Sequence, residues 1–177
     1  MDPQLNHVYE LTNENRTRFE AFSRSLSADE LALDVPQATW TVKDYIAHLA
    51  TIDIWVGDWF EHQADGKPWR PRGEEGAAFN IDTWNEAEVV ARRGASVEDL
   101  LAEGARHRER LWAAVDRFTP EVLEAKFDFH HHSITFLRYL ELWASHDPAH
   151  AADMCRALPS ATEDAGVRAW LAPFAPK

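Results

Sequence analysis

Between residues 41 and 64, apolar side chains recur at Tyr45, Ile46, Leu49, Ile52, Trp55, Val56, Trp59 and Phe60. Spacings of three and four wind one stripe onto an α-helix and do not fit the period of two of a strand. The start is as legible as the face. Thr41 stands as N-cap, Asp44 follows three residues later, and Trp40 and Tyr45 bracket the cap as a hydrophobic staple.

The same punctuation divides the rest of the chain. Residues 4–26 place Leu5, Val8, Leu11, Phe19, Phe22 and Leu26 on one helix face, and Ser27 with Glu30 opens a short helix. A third helix is predicted over 81–93, ending near Gly94. Ser96 with Asp99 opens a fourth, carrying Leu100, Leu101, Leu111, Trp112, Val115 and Phe118. Thr119-Pro120-Glu121 starts another, with Pro at its first helical position. Residues 125–132 read as an extended link, followed by a long helix from Ser133 to just before Pro159 and a short one over 161–171. Residues 65–80, which include Gly66, Pro68, Pro71, Gly73 and Gly76, read as a surface loop of functional length, with Gly73-Glu74-Glu75-Gly76 solvated. No strand pattern stands out. The expected fold is all-α: a four-helix bundle with additional short helices, forming a single domain over residues 1–177.

With 30 acidic against 18 basic residues the net charge is −12, which argues against binding nucleic acid or an anionic membrane. The single cysteine, Cys155, excludes an internal disulfide and a Cys-based zinc motif. The first residues lack a secretory signal pattern and no apolar run reaches a membrane span, so a cytoplasmic protein is expected. Eight Trp in 177 residues exceed what one core readily hides, pointing to an apolar patch covered in a homodimer.

Nine histidines are the chemically unusual feature. His146-Asp147-Pro148-Ala149-His150 sets two imidazoles one helical turn apart, where they can share a cation. His48 falls on the apolar face of the helix after Thr41, a place where a lone histidine is commonly a hydrogen-bonded core residue. Facing helices of a bundle bring inward positions together, and on a continuous helix Tyr139, Trp143 and Asp153 share the face of the later pair. Three inward imidazoles satisfy one another poorly without a metal. Pro148 intervenes: it removes the bond to the Ala144 carbonyl, so the helix either kinks at the pair or breaks. His130-His131-His132 reads as a solvated loop, and His7, His62 and His107 as surface residues. Cys155 points away from the pair as a packing residue.

Three stretches resemble the DinB/YfiT-like superfamily. Trp40-Thr41-Val42-Lys43-Asp44-Tyr45-Ile46-Ala47-His48-Leu49 is similar to its W-[ST]-x-x-[DE]-x-x-x-H-[LI] signature. Asp82-Thr83-Trp84-Asn85-Glu86 is similar to an intermediate D-x-[FW]-N-x segment, and Ser145–His150 to its H-D-x-x-H element. The resemblance implies an up-down-down-up four-helix bundle holding a divalent metal on three histidines, here His48, His146 and His150. It also implies a small-molecule thiol as cosubstrate, since enzymes of this superfamily act with mycothiol or bacillithiol. In the branch of mycothiol-dependent maleylpyruvate isomerase the first residue of the later pair is typically Glu. His146 therefore places this chain nearer the all-His, YfiT-like branch. At the position three after the second histidine, where Gln is frequent, stands Asp153, a candidate to orient a ligand imidazole.

The metal could be Zn, Ni or Fe, all suited to imidazole. Three neutral imidazoles leave a coordination position open, as catalytic sites do. Asp153, Tyr139, Trp143, Trp55, Ile52 and Asn85 are the expected surroundings. The functional expectation is a metal-dependent thiol S-transferase or isomerase acting on a small-molecule substrate. The alternatives are a metal-dependent hydrolase and a non-catalytic, stress-related binding bundle.

Overall fold

The structure, a computed structural model, describes residues 3–68, 79–129 and 131–174. The described chain is helical apart from one hairpin. It runs α1 (Pro3–Ser25), α2 (Ala28–Leu31), α3 (Val42–Ala64), α4 (Ile81–Arg92), α5 (Val97–Val115), α6 (Pro120–Glu124), β1 (Lys126–Phe129), β2 (His132–Thr135), α7 (Phe136–Trp143), α8 (His146–Cys155) and α9 (Ala165–Leu171), with 3₁₀ turns at Pro159–Glu163 and Ala172–Phe174. The expected loop over 65–80 falls largely outside the described residues, as do its Gly73–Gly76 patch and His130. No described helix is long and apolar enough to cross a membrane.

The capping residues act as the sequence predicts. The Thr41 backbone N–H donates to Asp44 Oδ2 at 3.2 Å, and the Asp44 N–H donates to Thr41 Oγ1 at 3.1 Å. The Trp40 and Tyr45 rings meet edge-on at 5.4 Å, closing the staple. Ser27–Glu30 and Ser96–Asp99 form reciprocal capping boxes, and Thr119 caps α6 ahead of Pro120.

The chain divides into two units, Met1–Tyr45 with Lys126–Lys177, and Ile46–Ala125. In the first, α1 lies along α7 and α8, and α8 along α9. Its core holds Leu5, Val8, Phe19, Phe22, Phe136, Leu140 and Met154. In the second, Leu49, Val56, Phe60, Leu100, Leu111 and Val115 are fully buried. An ion pair from Arg108 of α5 to Asp53 of α3 is buried among them. Residues 44–53 of α3 are buried without interruption, the polar Asp44, His48, Thr51 and Asp53 among them.

Two expectations are corrected. The segment taken for an extended link, with the absence of strands, is an antiparallel hairpin with Lys126 opposite Thr135 and Phe129 opposite His132. Its alternation, Phe127 and Phe129 half-buried against exposed Lys126 and Asp128, spans only four residues and is masked by the histidine run. His131 turns the hairpin at φ 67° and His132 belongs to β2, so these two exposed histidines sit at a hairpin tip rather than in a loop.

The long helix expected from Ser133 is two helices, interrupted at Ala144-Ser145. This resolves the Pro148 conflict. Pro148 lies in the first turn of α8, where its missing N–H would have had no helical partner. Pro148→Ala is therefore expected to destabilise the fold by at most about 1 kcal/mol, through unfolded-chain entropy. A proline strained inside a continuous helix would instead yield a gain of about 3 kcal/mol on replacement; urea unfolding separates the two.

Trp69 lies outside the described residues, and each of the other tryptophans is buried or half-buried. His107, expected at the surface, is half-buried beside Glu103 at 3.5 Å.

Candidate metal centre

The interruption before α8 makes His146 the first helical residue and puts His150 one turn later on the same face. Their Nε2 atoms are 3.2 Å apart, with ring centroids at 4.6 Å and planes at 79°. A tetrahedral cation with metal–nitrogen bonds of 2.0–2.1 Å has ligand–ligand edges of about 3.3–3.4 Å. The donor set and spacing of the pair therefore fit a shared divalent cation. His150 Nδ1 lies 3.2 Å from Asp153 Oδ2, which fixes the ring and leaves Nε2 for a ligand role. Asp153 thus stands where the sequence places it.

Trp143, the last residue of α7, stacks on His146 at 4.5 Å and 13°. Tyr139 stacks on Trp143 at 5.8 Å and 21°, and Phe127 and Phe129 of β1 meet the Tyr139 edge at 5.7 and 5.2 Å. Tyr139 and Trp143 therefore do reach the pair, but through stacking across a helix break rather than the common face of one helix. On the other side, the Tyr45 ring lies 5.4 Å from that of His150. Burial raises the Tyr45 phenol above its ordinary value, Asp153 adds to the effect and Arg156 opposes it, so Tyr45 stays a neutral donor.

His48 follows Tyr45 by three residues on α3 and is 4% exposed. Ile52 is buried on α3 and Trp55 stacks on Phe79 at 5.8 Å. Asn85 is half-buried on α4, and its side-chain oxygen is buried without a hydrogen-bond partner among the described residues.

Cys155 lines a separate cavity of about 430 Å³ with Ala152, Val167 and Leu171. Burial pushes its thiol up to about 11. At pH 7.5 its thiolate fraction is on the order of a hundredfold below that of an ordinary thiol near 8.5–9, so iodoacetamide should label Cys155 slower by about that factor. Labelling at the rate of free cysteine would contradict its burial.

Asn15, Arg16 and Asp147 escape the sequence reading. Asp147, between the two histidines, pairs with Arg16 of α1, the Arg16 Nε and Nη2 each lying 3.0 Å from a carboxylate oxygen. Asn15 donates from Nδ2 to the Ala144 carbonyl at 2.9 Å. The signal was present: Thr12, Asn15, Arg16 and Ser23 interrupt the apolar stripe of α1 at inward positions, and all four are buried.

The DinB superfamily model matches residues 11–154. Among solved structures, a mycothiol-dependent maleylpyruvate isomerase is similar in fold, with a TM-score of 0.66 at 14% identity over 85% of this chain. A histidine-to-alanine mutant of that isomerase gives 0.65 at 13%, again over 85% of this chain. This chain spans 60% of the length of each. No curated protein sequence matches.

Proposed function

The chain belongs to the DinB superfamily, and on that premise we propose that His48, His146 and His150 hold one divalent cation in an enzyme that uses a small thiol as cosubstrate. The observation that carries the reading is the approach of the His146 and His150 imidazoles, with facing Nε2 atoms at 3.2 Å. Zn, Ni and Fe suit the donor set. Bound there with a position open, such a cation supplies Lewis acidity that favours the anionic form of a thiol or of water.

The protein's own groups do the orienting. Asp153 holds the His150 ring through Nδ1, and Trp143 holds the plane of His146. Phe127, Phe129, Tyr139 and Trp143 give an aromatic wall against which an apolar electrophile can lie. Cys155, at about 11, is no source of nucleophilic sulfur. An external thiol supplies it, in keeping with the fold likeness to an isomerase named for its mycothiol dependence. Transfer to, or isomerisation of, a small unsaturated substrate in the cytoplasm, without nucleic acid or membrane, is the resulting function. Whether the whole chain acts as one domain, alone or as a homodimer, goes with it as an expectation that light scattering measures.

The test is turnover of an electrophile by metal-loaded protein with and without a low-molecular-weight thiol, beside His150→Ala. Thiol-dependent turnover lost in His150→Ala supports the reading. Turnover without thiol makes the protein a hydrolase, and bound metal without turnover makes it a binding bundle; either overturns the proposal.

A further inference from the structure

Asn15 and Arg16, consecutive on α1, are each 7% exposed. Burying an amide and a guanidinium side by side is costly unless both find partners, and these two find them on either side of His146. Asn15 Nδ2 donates to the carbonyl of Ala144, two residues before it. Arg16 grips the carboxylate of Asp147, one residue after it. The Ala144 carbonyl stands at the C-terminal end of α7, where carbonyls lack partners within the helix. The amide of Asn15 can sit only one way round. A carbonyl accepts only, so Nδ2 must face Ala144, and an indole N–H donates only, so Oδ1 must face Trp170, whose Nε1 lies 3.0 Å away.

Resting on the metal-centre reading above, we infer that Asn15, set by Trp170 and flanked by the Arg16–Asp147 pair, is a positioning residue for His146. The amide holds the interruption between α7 and α8 in one geometry. That geometry fixes where α8 starts, hence the direction of His146, and it aligns the Trp143–His146 stack, whose two rings stand on opposite sides of the break. His150 follows as part of the same short helix. Trp170 lies in α9, beyond residue 154 where the family match ends.

The experiment uses the full chain with Co²⁺ alone as probe, whose visible absorption reports both affinity and ligand geometry. Asn15→Leu should weaken Co²⁺ binding 10- to 100-fold, the range for residues that orient metal ligands, and alter the absorption bands. Trp170→Phe keeps a ring against Phe22, now 6.4 Å from Trp170, while removing the indole donor. It should shift affinity and bands in the same direction and add little on top of Asn15→Leu, because it acts through Asn15. A lowered melting temperature with Co²⁺ affinity and bands unchanged in both variants would overturn the inference, leaving Asn15 a stabilising residue only. If Asn15→Leu does not fold, Trp170→Phe decides. A metal-free readout separates this inference from the reading it rests on. Imidazole ¹⁵N–¹H resonances of His146 and His150, assigned with His146→Ala and His150→Ala, should move in Trp170→Phe, whereas those of exposed His7 and His62 stay. If wild type and His150→Ala bind Co²⁺ alike, the metal-centre reading fails, and an unmoved His146 resonance in Trp170→Phe then overturns the positioning role by itself.

Discussion

Asp53→Ala is expected to lower the melting temperature by on the order of 10 °C. Asp53 and its partner Arg108 have side chains 0% and 6% exposed. Removing the carboxylate takes a buried counter-charge from the Arg108 guanidinium, and breaking one side of a buried pair costs about 3–5 kcal/mol. For a chain of 150–250 residues each kcal/mol is worth about 2–4 °C. The pair itself adds little beyond what apolar side chains of similar volume would. Asp53→Leu with Arg108→Met should therefore recover most of the loss, a non-additivity that a double-mutant cycle by thermal or urea unfolding measures. A double variant as unstable as the sum of the single ones would show that the ion pair contributes in its own right.

Chelation is expected to destabilise the metal-loaded protein at pH 7.5 and to do little at pH 5. A cation at 100 times its dissociation constant adds about 2.7 kcal/mol to a fold that alone can bind it, which corresponds to roughly 5–10 °C at this chain length. The sign with pH follows from competition. Metal binding needs neutral imidazoles, and imidazoles in general take up protons near pH 6.5. The metal's contribution is present above that range and is lost as pH falls through and below it. Scanning calorimetry with and without chelator at the two pH values reads this directly. His146→Ala should remove the chelator response and Cys155→Ala should keep it, Cys155 lying in a cavity apart from the histidines. Equal responses in wild type and His146→Ala would place the cation elsewhere, with exposed His131 and His132 as the first suspects.

Most of the helices were legible because their starts are chemical. Thr41, Ser27, Ser96 and Thr119 each offer a side-chain oxygen to an N–H that no helical carbonyl reaches, and local rules of that kind survive tertiary context. The all-α, DinB-like fold followed from them and from the motif resemblance. The break at Ala144-Ser145 was not legible. Ser145 makes no side-chain cap, and the local cue, Pro148, is equally at home in a kink. At the break the Ala144 carbonyl accepts from Asn15, 129 residues away, a partner that no local pattern announces. The hairpin was hidden for a similar reason: four-residue strands carry too few alternations to outweigh neighbouring helical pattern. The i,i+4 pair was readable from spacing because both histidines fall within α8. The Arg16–Asp147 pair was not, because no local pattern says which inward arginine meets which aspartate.

The most direct measurement of the central claim is the metal content of untagged protein, by elemental analysis after loading and desalting, for wild type and His48→Ala side by side. The account predicts about one divalent cation per wild-type chain, since one open His₃ site holds one ion, and its loss in His48→Ala with the fold retained by circular dichroism. A wild type that retains no cation, or a His48→Ala protein that retains as much as wild type, would contradict it.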